Sequence, residues 1–86
     1  MAYTFLFTSH AKQDIAQLDS VVQKRLSKKF ANLAQSDDIG VHAKKLTNHR
    51  AGDYRIRIGD YRVICDIDAE EIIVLRIRHR REVYRD

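Results

Sequence analysis

Proline is absent from this chain, glycine occurs three times and cysteine once. With no proline, no internal repeat and no low-complexity tract, a proline-rich linker or a repeat array is excluded. The lone Cys65 cannot form an internal disulfide. It falls on an apolar alternation, where a buried reduced thiol is expected rather than a nucleophile. Four histidines and that one cysteine show no ligand spacing, so zinc is not expected, nor any other metal or small-molecule cofactor. No apolar run approaches the roughly 18 residues of a membrane span, and the start of the chain has no signal-peptide layout. The expectation is a cytoplasmic protein without a membrane partner.

What is present is a globular composition, 44% apolar and 33% charged in 86 residues. That length holds one hydrophobic core, so residues 1–86 are read as one domain. Such a chain buries only about 60–65% of its unfolded surface, which leaves room for stabilisation by a partner. The net charge of +4 and pI near 9.5 suit a binder of nucleic acid or an acidic partner. The charge is unevenly laid out. Residues 1–50 hold eight Lys/Arg and four Asp/Glu, whereas residues 51–86 hold eight Arg, no Lys and eight Asp/Glu. In the second part the acids cluster at strand ends and turns, and the arginines occupy the middles.

The stretch from Asp53 to Tyr84 carries three runs of period-2 alternation: Tyr54 to Ile58, Tyr61 to Asp68 and Ile72 to His79. Gly59-Asp60 is a hairpin turn of the Gly-X kind. It sets Ile58 against Tyr61, Ile56 against Val63, Tyr54 against Cys65, Arg57 against Arg62 and Arg55 against Ile64. For the third run, an apolar set of Ile73, Leu75 and Ile77 predicts an odd loop, Ala69-Glu70-Glu71, with Asp68 opposite Ile72 and Val63 opposite Ile77. One face then carries Arg55, Arg57, Arg62, Arg76, Arg78 and Arg80. Like charges directly opposite on a sheet destabilise it by up to about 1 kcal/mol per pair. An arginine face therefore points to a polyanion, phosphate matching the forked donors best. The alternative is a solvated outer face.

Before this stretch, Tyr3, Phe5 and Phe7 share one side of a short strand. Ser9 is the expected cap of a short helix with Ala11, Ile15 and Leu18 inward. Ser20 with Gln23 forms a capping-box pattern for a second helix, whose inner line is Val22, Leu26, Phe30 and Leu33. Its outer Lys24, Arg25, Lys28 and Lys29 serve solubility or an auxiliary phosphate contact. Between residues 35 and 52, Asp37, Asp38 and Gly40 end the helix, Val41 and Leu46 anchor the segment, and Lys44, Lys45, Asn48, His49 and Arg50 flank the basic face. The fold class is α+β, in the order β-α-α-β-β-β. Two helices pack on one face of a small, mainly antiparallel four-stranded sheet, leaving the other face open.

The run Tyr54-Arg55-Ile56-Arg57-Ile58-Gly59-Asp60-Tyr61-Arg62-Val63-Ile64, followed by His79-Arg80-Arg81-Glu82-Val83-Tyr84, resembles the RelE group of the RelE/ParE toxin superfamily over nearly the whole chain. The resemblance implies the toxin of a type II toxin–antitoxin pair, with a RelB-like or Phd-like antitoxin and the ribosome with A-site mRNA as partners. It implies a ribosome-dependent endoribonuclease working by metal-independent 2′-hydroxyl attack. Carried over by position, Arg55 and Arg57 take the places of two catalytic basic residues, lysines in the best-studied member. Arg62 takes that of a phosphate-contacting arginine, and Tyr84 that of a tyrosine that stacks on or orients the nucleotide. Arg80 and Arg81 compete for one arginine role, because the tail between arginine and tyrosine is shorter here.

For the bare residues, His79 has the intrinsic pKa of an acid–base group, yet strand parity aims it at the apolar face beside Tyr61, where a structural histidine is the alternative. His49 is a weaker candidate, and His10 and His42 carry no signal. Arg76, Arg78, Lys44 and Lys45 are RNA-binding candidates. Two rival readings stand: a ParE-type DNA gyrase inhibitor without catalysis, and a phosphate-binding RNA module.

Overall fold

Alternation organises the first strand: Tyr3, Phe5 and Phe7 are half-buried, while Thr4 and Leu6 are exposed. In the computed structural model this is β1 (Thr4–Phe7), followed by α1 (Ser9–Ala16), α2 (Ser20–Ala34), β2 (Ala43–Lys45), β3 (Tyr54–Ile58), β4 (Tyr61–Asp68) and β5 (Glu71–His79). The structure describes residues 2–36, 39, 43–45 and 54–79, with the backbone alone at 43–45. One sheet has the order β1-β5-β4-β3-β2, with β1 parallel to β5 and the other neighbours antiparallel. The expected order and the two-helix layer are present. The three-residue β2 adds a short edge strand beside β3.

Phe30 of α2 packs on Phe5 and Phe7, with ring centroids 4.9 and 5.3 Å apart in tilted and edge-on geometries, arrangements that rings favour over a face-to-face sandwich. Leu26, Leu33 and Ala11 join Ile56, Val63, Cys65, Ile72, Val74 and Ile77 in the core. Ile39 is also buried there, and its N–H donates to the Tyr3 hydroxyl at 3.3 Å. Burial pushes the Cys65 thiol up to about 12, with the Asp66 charge adding to it, so the thiol stays protonated. The expected anchors Val41 and Leu46 lie outside the described residues.

Both helix starts differ from the expectation. Thr8, not Ser9, caps α1: its Oγ1 accepts from Ala11 N–H at 3.2 Å and donates to the Leu75 carbonyl at 3.1 Å. Asp19 is the N-cap of α2 without a side-chain cap bond, and Ser20 is already helical. Gln23 reaches instead to the Ile15 carbonyl at 2.7 Å and ties the two helices together. The Ile15 carbonyl, which also accepts from Leu18 N–H at 3.0 Å, offers Gln23 its second lone pair, as good a partner as a backbone N–H at the helix start.

The β3–β4 register is the expected one throughout, from Tyr54 opposite Cys65 to Ile58 opposite Tyr61, with Gly59 at φ +58° in the turn. The β4–β5 pair is correct near Arg62–Arg78 and Val63–Ile77 but not beyond. A bulge at Ile64/Cys65 leaves Leu75 as an extra residue, so Asp68 pairs with Glu71 and the turn is Ala69-Glu70. Ile72 and Val74 therefore face the helices with Ile77, and Ile73 and Leu75 point to the other face. A bulge changes strand parity midway, which permits an apolar set at positions 72, 74 and 77 that no regular strand could bury together.

Candidate active site

The face away from the helices is built in rows. Arg57 on β3, Arg62 on β4 and Arg78 on β5 lie opposite one another, forming the first row. The next row is Arg55, Ile64 and Arg76, and the register extends it to Lys44 on β2. The third is Asp66 and Ile73, continued to Leu6 on β1. With strands about 4.8 Å apart and alternate residues about 6.7 Å apart along a strand, the arginine block is about 10 by 7 Å.

This face is less open than the alternation implies. Arg62 is only 5% exposed and Ile64 7%, while Arg57 is exposed and Arg55 and Arg78 are half-buried. Arg62 is thus a seated guanidinium at the centre of the row, between Arg57 and Arg78. Its long stem is covered by neighbouring side chains. By register Arg76 belongs to this row, but its guanidinium is engaged elsewhere. Asp14 Oδ2 accepts from Arg76 Nε at 2.9 Å and from Ile77 N–H at 2.9 Å, and Oδ1 accepts from Arg76 Nη2 at 3.1 Å. Burial would raise the Asp14 carboxyl, but the Arg76 and Ile77 hydrogen bonds and the charges of Arg76 and Arg78 outweigh it and hold it below the usual range. Of the expected arginine array, Arg76 is therefore spent on a structural bond.

His79 lies on the helix side, opposite Tyr61, with ring centroids 5.2 Å apart at 88°. It opens onto a polar cleft of about 340 Å³ lined by Asp14, Gln17, Tyr61 and Arg76. His79 and the arginine row are on different faces of the sheet. Arg80, Arg81, Tyr84, His42, His49, Asn48 and Arg50 lie outside the described residues, as do the Lys44 and Lys45 side chains. His10 is exposed on α1. Sequence reading missed Asp14, although a signal exists. It stands three residues after Ala11 and four before Leu18, which places it on the margin of the inward stripe.

Small helices over a sheet, with three arginines in line on the far side, define a class that comparison with known proteins makes explicit. A sequence model described as the ParE toxin of the type II toxin–antitoxin system, parDE, matches residues 5–84. The chain belongs to this family, within the RelE/ParE superfamily of type II toxin–antitoxin toxins. Its similarities are to the RelE type in particular. It is 32% identical to Toxin RelG of Mycobacterium tuberculosis over an alignment of 88 positions covering 99% of both chains. It is 27% identical to Toxin RelE3 of Methanocaldococcus jannaschii over 82 positions covering 92% of each. Among solved structures, the RelBE2 toxin–antitoxin complex of M. tuberculosis matches with a TM-score of 0.80 at 27% identity, covering 92% of this chain and 99% of that one. A mutant E. coli toxin RelE in the free state matches with a TM-score of 0.70 at 25% identity, covering 99% and 93%.

Proposed function

We propose that this toxin is a ribosome-dependent endoribonuclease that cuts mRNA in the A site, and so acts in the cytoplasm. The observation that carries the reading is the row Arg57–Arg62–Arg78, three forked guanidinium groups brought into line on one face of the sheet, a donor set that matches phosphate. The reaction is attack of a ribose 2′-oxygen on the adjacent phosphorus. The 2′-O–P bond forms, the P–O5′ bond breaks, the 2′-proton leaves to a base and the 5′-oxygen takes up a proton. The products are a 2′,3′-cyclic phosphate and a 5′-hydroxyl.

Each chain residue has a stated task in this scheme. Seated Arg62 and exposed Arg57 donate to the non-bridging oxygens, where charge grows in the phosphorane. Preorganised donors of this kind are usually the largest single contribution to catalysis. Arg55 and Arg78 hold flanking phosphates. Tyr84 and one of Arg80 and Arg81 complete the site by resemblance to RelE toxins, with Tyr84 orienting the nucleotide. An arginine titrates above pH 12 and is a poor base at pH 7. His79 points the other way. Alignment of the message by the ribosome therefore supplies much of the rate, as positioning converts a slow encounter into a near-attack geometry. The cognate antitoxin is RelB-like, since the solved relatives include RelE–RelB complexes.

The ParE description of the matching family supports one rival, gyrase inhibition without catalysis. Ribosomes programmed with a message and an empty A site separate the two. Cuts within the A-site codon, ending in a cyclic phosphate and abolished by a 2′-deoxy substitution at the attacking ribose, are expected. Gyrase arrest with intact mRNA would overturn the nuclease.

A further inference from the structure

On one side β5 outruns its neighbour. β1 pairs with it only from Glu71 to Val74, whereas β5 continues to His79. Past Val74 that edge has no strand beside it among the described residues, and its N–H and C=O groups need other partners. α1 supplies them. Thr8 N–H donates to the Val74 carbonyl at 3.0 Å and Thr8 Oγ1 to the Leu75 carbonyl at 3.1 Å. Asp14, on the same helix, accepts from Ile77 N–H at 2.9 Å while its two oxygens hold Arg76. Thr8 thus grips the strand at the bulge, and Asp14 grips it further on, next to Arg78 of the arginine row. Arg78 is near enough that its charge also favours the Asp14 carboxylate.

We propose that Asp14 is a positioning residue for the nuclease: it fixes the end of β5 that carries Arg78 and keeps Arg76 away from the RNA. This deepens the nuclease reading and rests on it. Arg78 follows Ile77 and stands across from Arg62, so the place of the Ile77 amide sets where the third guanidinium of the row meets its phosphate. Arg76 belongs by register to the next row, where a released guanidinium would compete for the same backbone and draw the message out of line. A shift of about 1 Å in a group that aligns a reaction can cost about 10²-fold in rate. A neutral acceptor would close the strand edge equally well. The carboxylate does both tasks, and bonded to Arg76 it brings no net negative charge beside a face that takes RNA.

The test is a double-mutant cycle in the full-length protein: Asp14→Asn, Arg78→Ala and the two together, cutting A-site mRNA on programmed ribosomes beside the unmodified chain. All are assayed well below their thermal midpoints, so that unfolded protein does not count as lost rate. Asp14→Asn should lower kcat about tenfold and leave KM within about twofold, because alignment is lost and docking is not. In the Arg78→Ala background the same change should lower kcat by about threefold or less, since Arg78 is no longer there to position. A parental kcat for Asp14→Asn would overturn the proposal and leave a purely structural bond. A loss repeated in full on Arg78→Ala would overturn it as well, placing the effect elsewhere in the fold. An unmodified chain that makes no cuts would remove the nuclease and the proposal together, a failure told apart from the other two because it shows without any variant.

Discussion

Arg57 and Arg62 face each other across two strands, yet one is exposed and the other is 5% exposed. That difference separates their mutants. On the proposed nuclease reading, Arg57→Ala removes a donor from the phosphorane with little packing, so ribosome-dependent cleavage should fall about 10²- to 10³-fold. Its unfolding free energy in urea should stay within about 0.5 kcal/mol of the parent. Arg62→Ala removes the same kind of donor and also the stem that fills the centre of the row, so it should lose activity and about 1–3 kcal/mol of stability. Arg62→Lys should restore most of the stability and little of the rate, because an ammonium fills the space but lacks the planar fork. Equal stability of Arg57→Ala and Arg62→Ala in urea would contradict the seating of Arg62. Alternation set Arg55, Arg57, Arg62 and Arg78 on one face of the sheet, as the strand register has them. It could not assign depth, since burial depends on what lies beside a residue on neighbouring strands. Nor could it show Arg76 leaving the array, because Asp14 is 62 residues away in sequence.

Among the elements, β5 departs most from its sequence reading. The hydrophobic pattern of the third run fits two registers: a regular strand after a three-residue loop, or a bulged strand after a two-residue turn. Only packing under the helices chooses between them. The choice has a cost at Ala69, which sits at φ 53° in the left-handed region. Alanine is strained there by about 1 kcal/mol relative to glycine, part of which glycine returns as extra freedom in the unfolded chain. Ala69→Gly should therefore stabilise the fold by about 0.5 kcal/mol and raise the thermal midpoint by about 2–4 °C. A lower midpoint would contradict the two-residue turn.

Asp14 fastens α1 to the part of β5 that runs beyond β1. A carboxyl held below its usual value of 3.8 contributes stability that is fully present above about pH 4 and is lost as the pH falls through the depressed value. Arg76 is 36% exposed, so solvent screening limits the contribution to about 1 kcal/mol. Asp14→Asn should be weaker than the parent by about that amount at pH 7 in urea melts, and the gap should close below pH 4. A gap independent of pH would mean that the amide loses shape rather than charge.

At the scale of the whole molecule, length and charge set the terms. A chain of 86 residues buries too little surface for a wide margin, and its rows of like charge on the sheet and on α2 subtract from that margin while the protein stands alone. An antitoxin that neutralises either surface binds the folded state and not the unfolded one. By mass action, an antitoxin at about 100 times its Kd adds about 2.7 kcal/mol. For a chain of this size that raises the thermal midpoint by about 10–20 °C. High salt screens the same repulsion over about 3 Å at 1 M, so the isolated toxin should gain stability with salt while the complex gains less. Calorimetry of the two at low and high salt tests this directly. An isolated toxin whose midpoint falls on adding salt would mean that attraction between its charges outweighs repulsion, and that the arginine row is not held at a cost.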